Sequence, residues 1–120
     1  MSKLNFNKLS YHYDENVDAL LLKITSMYQY DVSLEVNAST IIDLSKIGKV
    51  VCFEILDASR VLKIPVSALK KQPSFNITVD VNEDIIKVYM NYKIDELIGS
   101  YVFKTLNENK AVNGVYKYYI

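Results

Sequence analysis

The pattern of apolar and polar positions is dominated by residues 49–59, where the densest apolar run of the chain ends abruptly. In a strand, successive side chains point to opposite faces. Both faces of this strand would carry apolar side chains. Val51, Phe53 and Ile55 lie on one face; Val50, Cys52 and Leu56 lie on the other, together with the polar Glu54. A strand that is apolar on both faces belongs inside a sheet. We therefore predict that residues 49–59 supply the central strand.

Before this run, four short stretches have the composition and period of strands. Residues 9–13 and 19–24 flank a polar turn at residues 14–18, so they predict an antiparallel hairpin. Residues 32–36 and 40–44 predict two further strands, and a short glycine-containing connection leads from them into the central strand. The first half of the chain is therefore predicted to be an antiparallel meander sheet.

A short helical segment is predicted over residues 57–72. Asp57 and Ser59 carry short oxygen-bearing side chains that can bond the free backbone groups of a helix start, and we interpret Asp57 as a cap. Pro65 favours a second helix start. Two lysines follow near the negative end of a helix that should end near Gln72.

The clearest alternation in the chain predicts a long hairpin over residues 75–94. A two-residue loop at Glu83-Asp84 places the apolar side chains of both strands on one face, whereas a three-residue loop would shift the register and lose that face. The resulting pairs are Val81 with Ile86, Val79 with Val88, Ile77 with Met90, and Phe75 with Tyr92.

Two more strands are predicted at residues 101–106 and 115–120, after a break at residues 95–99. The dipeptide Asn113-Gly114 is a strong hairpin-turn signal, but so few apolar residues precede it that a bulge or loop is the alternative. Six tyrosines crowd this half of the chain: Tyr89, Tyr92, Tyr101, Tyr116, Tyr118 and Tyr119. They could form an aromatic surface for nucleic acid bases or a partner protein, but core and interface packing is the commoner role of such tyrosines.

Length and composition indicate a single domain, residues 1–120, of mainly β class with α+β at the margin. Lys and Arg together equal Asp and Glu at 14 each, so the positive balance usual in nucleic-acid binders is missing. We therefore predict no nucleic acid partner, although a local basic patch stays open. The apolar runs are too short to span a membrane, and the single Cys52 cannot form an internal disulfide. These features predict a cytoplasmic protein without a membrane partner.

The sequence contains no recognisable catalytic or cofactor motif. His12 has no second His, Cys or carboxylate at ligand spacing, so a structural role is favoured over catalysis or metal binding. The candidates for a small polar, ligand-binding site are Asp18, Glu54, Asp57 and Ser59. An acid and a hydroxyl without a base do not make an activated nucleophile. We therefore predict a protein that is not an enzyme and uses no cofactor or metal; the alternative is a small enzyme or ligand-binding protein in which Asp18, Glu54 and Asp57 converge.

Four stretches of the first half carry a family resemblance: Tyr-Asp-Glu-Asn-Val-Asp-Ala-Leu-Leu-Leu at residues 13–22, Thr-Ile-Ile-Asp-Leu at residues 40–44, Gly-Lys-Val-Val at residues 48–51, and Glu-Ile-Leu-Asp-Ala-Ser at residues 54–59. Their order and spacing resemble the domain of unknown function 2283, or YuzE-like, family over roughly residues 9–71. Cys52 and Phe53 stand where a small residue and Ile are common in that family. Residues 73–120 lie outside the resemblance, and we predict that they pack on the family-like part as a β-hairpin extension.

The resemblance implies a small, β-rich, soluble protein of bacteria or archaea with no established activity. It places Asp14, Asp18, Glu54, Asp57 and Ser59 in turns and strand ends that fix the fold, and it supplies no catalytic set. Some members of the family look like partners of neighbouring toxin-like proteins. The resemblance therefore implies a toxin-like protein as a candidate partner.

The function that these observations favour is non-enzymatic: a protein-interaction or self-association module. An open sheet must protect its edges and apolar faces, and pairing with a second copy does so. We predict a homodimer formed through residues 115–120, a run of Tyr and aliphatic residues expected to lie at a free sheet edge. The predicted interface residues are Tyr116, Tyr118, Tyr119 and Ile120. A closed barrel would remove the need for this contact.

Overall fold

The computed structural model describes residues 5–120, which form one curved sheet of nine strands with two short helices. The strands are β1 (Asn5–Asp14), β2 (Ala19–Ile24), β3 (Tyr30–Asn37), β4 (Thr40–Ser45), β5 (Val50–Ile55), β6 (Ser74–Val81), β7 (Ile85–Ile94), β8 (Leu97–Leu106) and β9 (Gly114–Tyr119), and the helices are α1 (Ala58–Leu62) and α2 (Val66–Leu69). The sheet curls into a half-barrel whose concave side holds the core. The predicted mainly β class is confirmed, and so is the short helical segment near residues 57–72.

The strands lie in the order β3-β4-β5-β2-β1-β9-β6-β7-β8. Each neighbouring pair is antiparallel except β1 and β9, which run parallel. As predicted, β5 is inside the sheet and largely buried, but β1 rather than β5 is the middle strand. The first five strands are not a simple meander either, because β2 pairs with β5 instead of β3.

Burial of β5 explains this order. Leu22 of β2 and Ile42 of β4 lie opposite Phe53 from its two sides, and all three side chains are fully buried. The residues of β3 are only half-buried or exposed. Placing the apolar β5 between two apolar strands removes more apolar surface from water than placing the wetter β3 beside β2 would. The wetter strand is therefore left at the edge of the sheet.

The β6–β7 hairpin has the predicted register. Its pairs are Phe75 with Tyr92, Ile77 with Met90, Val79 with Val88, and Val81 with Ile86, and all of these side chains are buried. At the turn, Oδ1 of Asn82 accepts hydrogen bonds from the backbone N–H groups of Asp84 and Ile85, each at 2.8 Å. The two-residue loop at Glu83-Asp84 is therefore confirmed. The Asn82 side chain, directly before the loop, accepts from the backbone N–H groups that the turn leaves without a partner in the ladder.

The C-terminal strands differ from their predictions in two places. The break expected at residues 95–99 is only the two-residue turn between β7 and β8, where Asp95 has the left-handed φ of 52°. Asn113-Gly114 does not form a hairpin turn; a loop follows β8, and β9 begins at Gly114. Of the two alternatives left by the sequence, the loop is the correct one.

Residues 115–120 do not form a free sheet edge, and this prediction was wrong. β9 lies between β1 and β6 and is hydrogen-bonded to both. Tyr116 and Tyr118 point into the core with 8% and 1% of their surface exposed, and the Tyr118 hydroxyl donates to the backbone oxygen of Val50 at 2.5 Å. The alternating tyrosines bury more apolar surface inside the half-barrel than they could at an edge. They join the two halves of the sheet instead of a second copy.

The helical segment packs against the core of the half-barrel. Leu62 of α1 and Leu69 of α2 are buried against the core. The backbone oxygen of Leu62 accepts a hydrogen bond from the Tyr92 hydroxyl at 2.7 Å, and that of Leu69 accepts one from the Tyr11 hydroxyl at 2.6 Å. Neither helix of the described chain approaches the length or apolar character needed to cross a membrane.

The two edge strands, β3 and β8, face each other across the opening of the half-barrel. The Tyr101 hydroxyl of β8 bonds Nδ2 of Asn37 at 3.0 Å and Oγ1 of Thr40 at 2.7 Å. Beyond this contact a cleft of about 270 Å³ separates the strands, lined by residues such as Ser33 and Leu106. The edges are therefore bridged by side chains and not by a backbone ladder.

Candidate functional site

The turn between β1 and β2 places the Asp18 carboxylate at the start of α1. Its Oδ1 accepts hydrogen bonds from the Tyr13 hydroxyl at 2.7 Å and from the Ser59 backbone N–H at 3.1 Å, and its Oδ2 accepts from the Ser59 hydroxyl at 2.6 Å. The backbone oxygen of Asp18 also accepts from the N–H of Ala58 at 2.9 Å. Asp18 therefore caps α1 from a distant part of the sequence.

Asp57 stands at the helix start but does not cap it. Its φ of 52° is left-handed, and its side chain makes no hydrogen bond to the helix backbone. The Asp57 carboxylate instead pairs with Arg60 at 3.1 Å, where both side chains are largely exposed. The prediction that Asp57 caps α1 was therefore wrong. Asp57 lies directly before the helix, but Asp18 already accepts hydrogen bonds from the backbone N–H groups of Ala58 and Ser59.

Hydrogen bonding keeps Asp18 ionised. Partial burial opposes the charge, but the donors of Ser59 and Tyr13 outweigh it and hold the pKa of Asp18 below its ordinary value. Burial, assisted by this carboxylate, raises the pKa of Tyr13 to about 12. A charged acceptor that already has three donors is poorly suited to exchange protons with a substrate.

The other candidate residues do not join Asp18 and Ser59. Glu54 lies on β5, between Leu21 of β2 and Ile41 of β4. His12 lies on β1, on the other side of Leu21. The sequence named Asp18, Glu54, Asp57 and Ser59 as candidates without placing any of them together. The structure joins Asp18 to Ser59, whereas the Asp57 carboxylate pairs with Arg60. Within residues 5–120, no group of three or more His, Cys, Asp or Glu side chains is arranged to hold a metal ion.

The thiol of Cys52 is buried and protonated. Burial, with smaller contributions from the nearby Asp43 and Glu54 carboxylates, raises its pKa to about 12. Only the thiolate is strongly nucleophilic. Cys52 therefore packs as a small apolar side chain rather than as a reactive group.

A feature that the sequence did not reveal is the distribution of charge on the convex side of the sheet, here called the outer face. Residues that lie opposite each other in neighbouring strands share a face. From the end of β1 and from β2–β5, the outward side chains include four carboxylates and one lysine: Asp14, Glu35, Asp43, Glu54 and Lys23. We call this part of the outer face the acidic half.

The opposite charge covers the rest of the outer face. Five lysines point outward from the beginning of β1 and from β6–β9, and Asp80 is the one carboxylate among the outward strand positions there: Lys8, Lys87, Lys93, Lys104 and Lys117. We call this part the lysine half. The chain is neutral as a whole, yet its fold sorts the charges into two regions.

The lysine half also exposes apolar and aromatic side chains. Ile98 is 75% exposed, Phe6 is 61% exposed and Tyr119 is 43% exposed, and Val102, Leu106 and Val115 are exposed on the same face. They form two groups, one on β1 and β9 and the other on β8, with β6 and β7 between them. The alternation in the sequence predicts which residues share a face of one strand, but only the order and register of the strands bring them together.

A family model described as "Protein of unknown function (DUF2283)" matches residues 10–59. This confirms the family resemblance over those residues. The matched segment begins in β1 and ends at Ser59, whose hydroxyl bonds Asp18, so its two ends meet at the cap of α1. No curated protein and no solved structure matches the chain.

Proposed function

We propose that this protein is a non-enzymatic interaction module that forms a homodimer, with the acidic half of one copy against the lysine half of the other. The observation that carries the proposal is the separation of charge on one continuous outer face. Complementary charge guides association and fixes the relative orientation of partners.

A two-fold axis makes this contact twice. In an isologous dimer each copy contributes the same surface, so the acidic half of each copy can cover the lysine half of its partner. Lysine half against lysine half would instead oppose like charges. The exposed Ile98 and Val102 add apolar area that the contact removes from water. This arrangement uses the outer face, and β9 stays inside the sheet.

The state of the polar residues supports a binding role over catalysis. Asp18 and Ser59 are committed to the start of α1, and the Cys52 thiol is buried. Glu54 and Asp57 do not converge with Asp18, so the geometry offers no support for the alternative of an enzyme or small-ligand site built from these three residues. A toxin-like protein with a basic surface is the other partner that would suit the acidic half. The free thiol favours a reducing compartment, the cytoplasm, as the location.

The test is the mass in solution, measured by size-exclusion chromatography with light scattering. We expect twice the monomer mass of 13.8 kDa at low salt and a shift towards monomer at high salt, because salt screens the charges. Glu35→Lys with Glu54→Lys should give a monomer, and so should Lys87→Glu with Lys104→Glu. Mixing the two double variants should restore the dimer, because the reversed charges are again complementary.

The matched control is Glu83→Lys with Asp84→Lys, which makes the same change in charge at exposed positions in the turn between β6 and β7. It should leave the dimer intact. A wild-type monomer at tens of micromolar, or a dimer that survives both reversals, would contradict the proposal. The mixing experiment also separates loss of contact from misfolding, because a misfolded variant would not be rescued.

A further inference from the structure

We propose that the lysine half binds single-stranded nucleic acid. Balanced charge argues against such a partner only when the charges are mixed over the surface, and here the fold gathers five lysines against one outward carboxylate, Asp80. A local excess of this kind attracts a phosphate backbone and releases its counterions. The proposed function gives this same surface to a second copy, so the second copy and the nucleic acid would compete for it, and the inference does not require the dimer to form.

The beginning of β1 and the end of β9 place two exposed aromatic rings next to two of these lysines. Phe6 lies opposite Lys117, and Lys8 lies opposite Tyr119, so aromatic and cationic side chains alternate in two adjacent rows. Sequence-tolerant binders of single strands combine the same two parts: rings on which bases stack and cations that follow the backbone. The pair Phe6 and Tyr119 supplies the rings.

A shallow cleft of about 350 Å³ lies at this aromatic pair. Its lining includes Phe6, Tyr119, Lys117, Asn76 and Thr78. Nζ of Lys117 donates to the Thr78 hydroxyl at 2.9 Å, which holds the ammonium group at the cleft. An amide and a hydroxyl can bond the edges of an unpaired base, and the ammonium can contact its phosphate. The cleft therefore has the chemistry of a nucleotide-sized subsite.

The charged surface continues from the cleft towards β8. Tyr89 lies opposite Thr78 and carries the Lys87 ammonium 5.1 Å from its ring centre, and Lys104 lies opposite Lys87 on β8. A strand that leaves the cleft along this row meets further cations and another aromatic side chain. Stacking requires bases that are not already stacked in a helix, so single strands are favoured over duplexes.

An acidic protein is the competing occupant, and the aromatic pair decides between them. Lysines alone would serve any polyanion, whereas rings beside an amide and a hydroxyl suit flat, hydrogen-bonding bases. The test is fluorescence anisotropy of a labelled, mixed-sequence single strand of about 12 nucleotides, with the matching duplex and heparin as competitors. We expect the single strand to bind, and its affinity to fall about tenfold or more between about 50 mM and about 200 mM salt.

Phe6→Ala and Tyr119→Ala should each weaken binding by about tenfold. Val115→Ala is the matched control, because it removes an exposed apolar side chain from the same face without a ring. Lys87→Gln with Lys104→Gln should weaken binding and flatten the salt dependence, whereas Lys46→Gln with Lys71→Gln, at exposed positions elsewhere, should not. Each variant is checked for the wild-type unfolding transition.

Two outcomes would overturn the proposal. The first is no binding of the single strand at low salt. The second is binding that persists without both rings and for which heparin competes as well as unlabelled single strand does. The second outcome would indicate a general polyanion or acidic-protein surface. The variant Glu35→Lys with Glu54→Lys distinguishes this inference from the proposed dimer: it should abolish the dimer and, because this uncovers the lysine half, it should bind the single strand at least as tightly as the wild type does. Failure of the dimer therefore does not remove this result, and failure of oligonucleotide binding does not remove the dimer.

Discussion

At the scale of single residues, Asp18 shows how a family motif can be structural. Three donors converge on its carboxylate, and its partners come from β1 and from the start of α1. The sequence predicted that Asp18 and Ser59 matter, because short oxygen-bearing side chains at element ends bond free backbone groups. It could not predict that they bond each other, because that contact depends on how β2 and β5 pair.

Asp18→Asn should lower the free energy of unfolding by about 1–2 kcal/mol at neutral pH, because the amide is a weaker acceptor than the carboxylate. The pKa of Asp18 is lower in the folded than in the unfolded state, so its stabilisation is full above the unfolded pKa of about 3.9 and is lost as the pH falls through the folded pKa. Urea unfolding at neutral pH and at low pH should show the difference between wild type and variant shrinking in acid.

The control is Asp95→Asn, which removes a carboxylate from a turn residue with nearly the same φ, 52° against 51° for Asp18. Asp95 is exposed, and its substitution should change stability by less than about 0.5 kcal/mol. A difference between Asp18→Asn and wild type that does not change with pH would show that the charge of Asp18 does not stabilise the fold.

At the scale of elements, β5 is the strand on which the N-terminal half depends. Phe53 is fully buried between β2 and β4 and contacts the Tyr118 ring edge-on, with 5.1 Å between ring centres. This contact joins the family-like part to β9. β5 therefore holds together parts of the chain that are far apart in sequence.

Phe53→Ala should destabilise the protein by about 3–5 kcal/mol, because the lost ring leaves a cavity that the rigid sheet cannot close. Phe6→Ala is the matched control on β1; its ring is exposed, so the loss should stay below about 0.5 kcal/mol. Urea unfolding measures both. A loss of less than about 1 kcal/mol for Phe53→Ala would contradict the central place of β5 in the core.

The elements themselves were the most predictable part of the fold. Period-2 alternation located the β6–β7 hairpin to the residue, because loop length and a single buried face together fix the register. The order of the strands in the sheet was harder to predict from the sequence, because alternation shows which side chains of one strand share a face but not which strand lies beside it. For that reason β9 was predicted to lie at an edge, whereas it lies inside the sheet and its alternating Tyr116 and Tyr118 are buried in the core.

At the scale of the whole molecule, the two edge strands of the sheet approach each other, and the Tyr101 hydroxyl of β8 bonds Asn37 at the end of β3 and Thr40 at the start of β4. Side-chain bonds of this kind are weaker and more exposed than a backbone ladder. The edge strand β3 should consequently open more readily than the interior strand β5.

Tyr101→Phe removes the hydroxyl from this bridge. We expect the free energy of unfolding to fall by about 1 kcal/mol and hydrogen exchange in β3 to become faster. Exchange in β5 should change only as much as the lower global stability requires. Hydrogen exchange followed by mass spectrometry measures both strands in one experiment, and Tyr119→Phe, whose side chain is exposed, is the control. Unchanged exchange in β3 would mean that the bridge does not hold the edges together.

The pairing of β1 with β9 also has a consequence for synthesis. Residue 5 pairs with residue 116, so the ladder that joins the two halves of the sheet cannot form until β9 has left the ribosome. Until then, β1 and β6 each present an unpaired side, and contacts between residues so distant in sequence form slowly. We therefore expect the nascent chain to be most prone to aggregation just before β9 emerges.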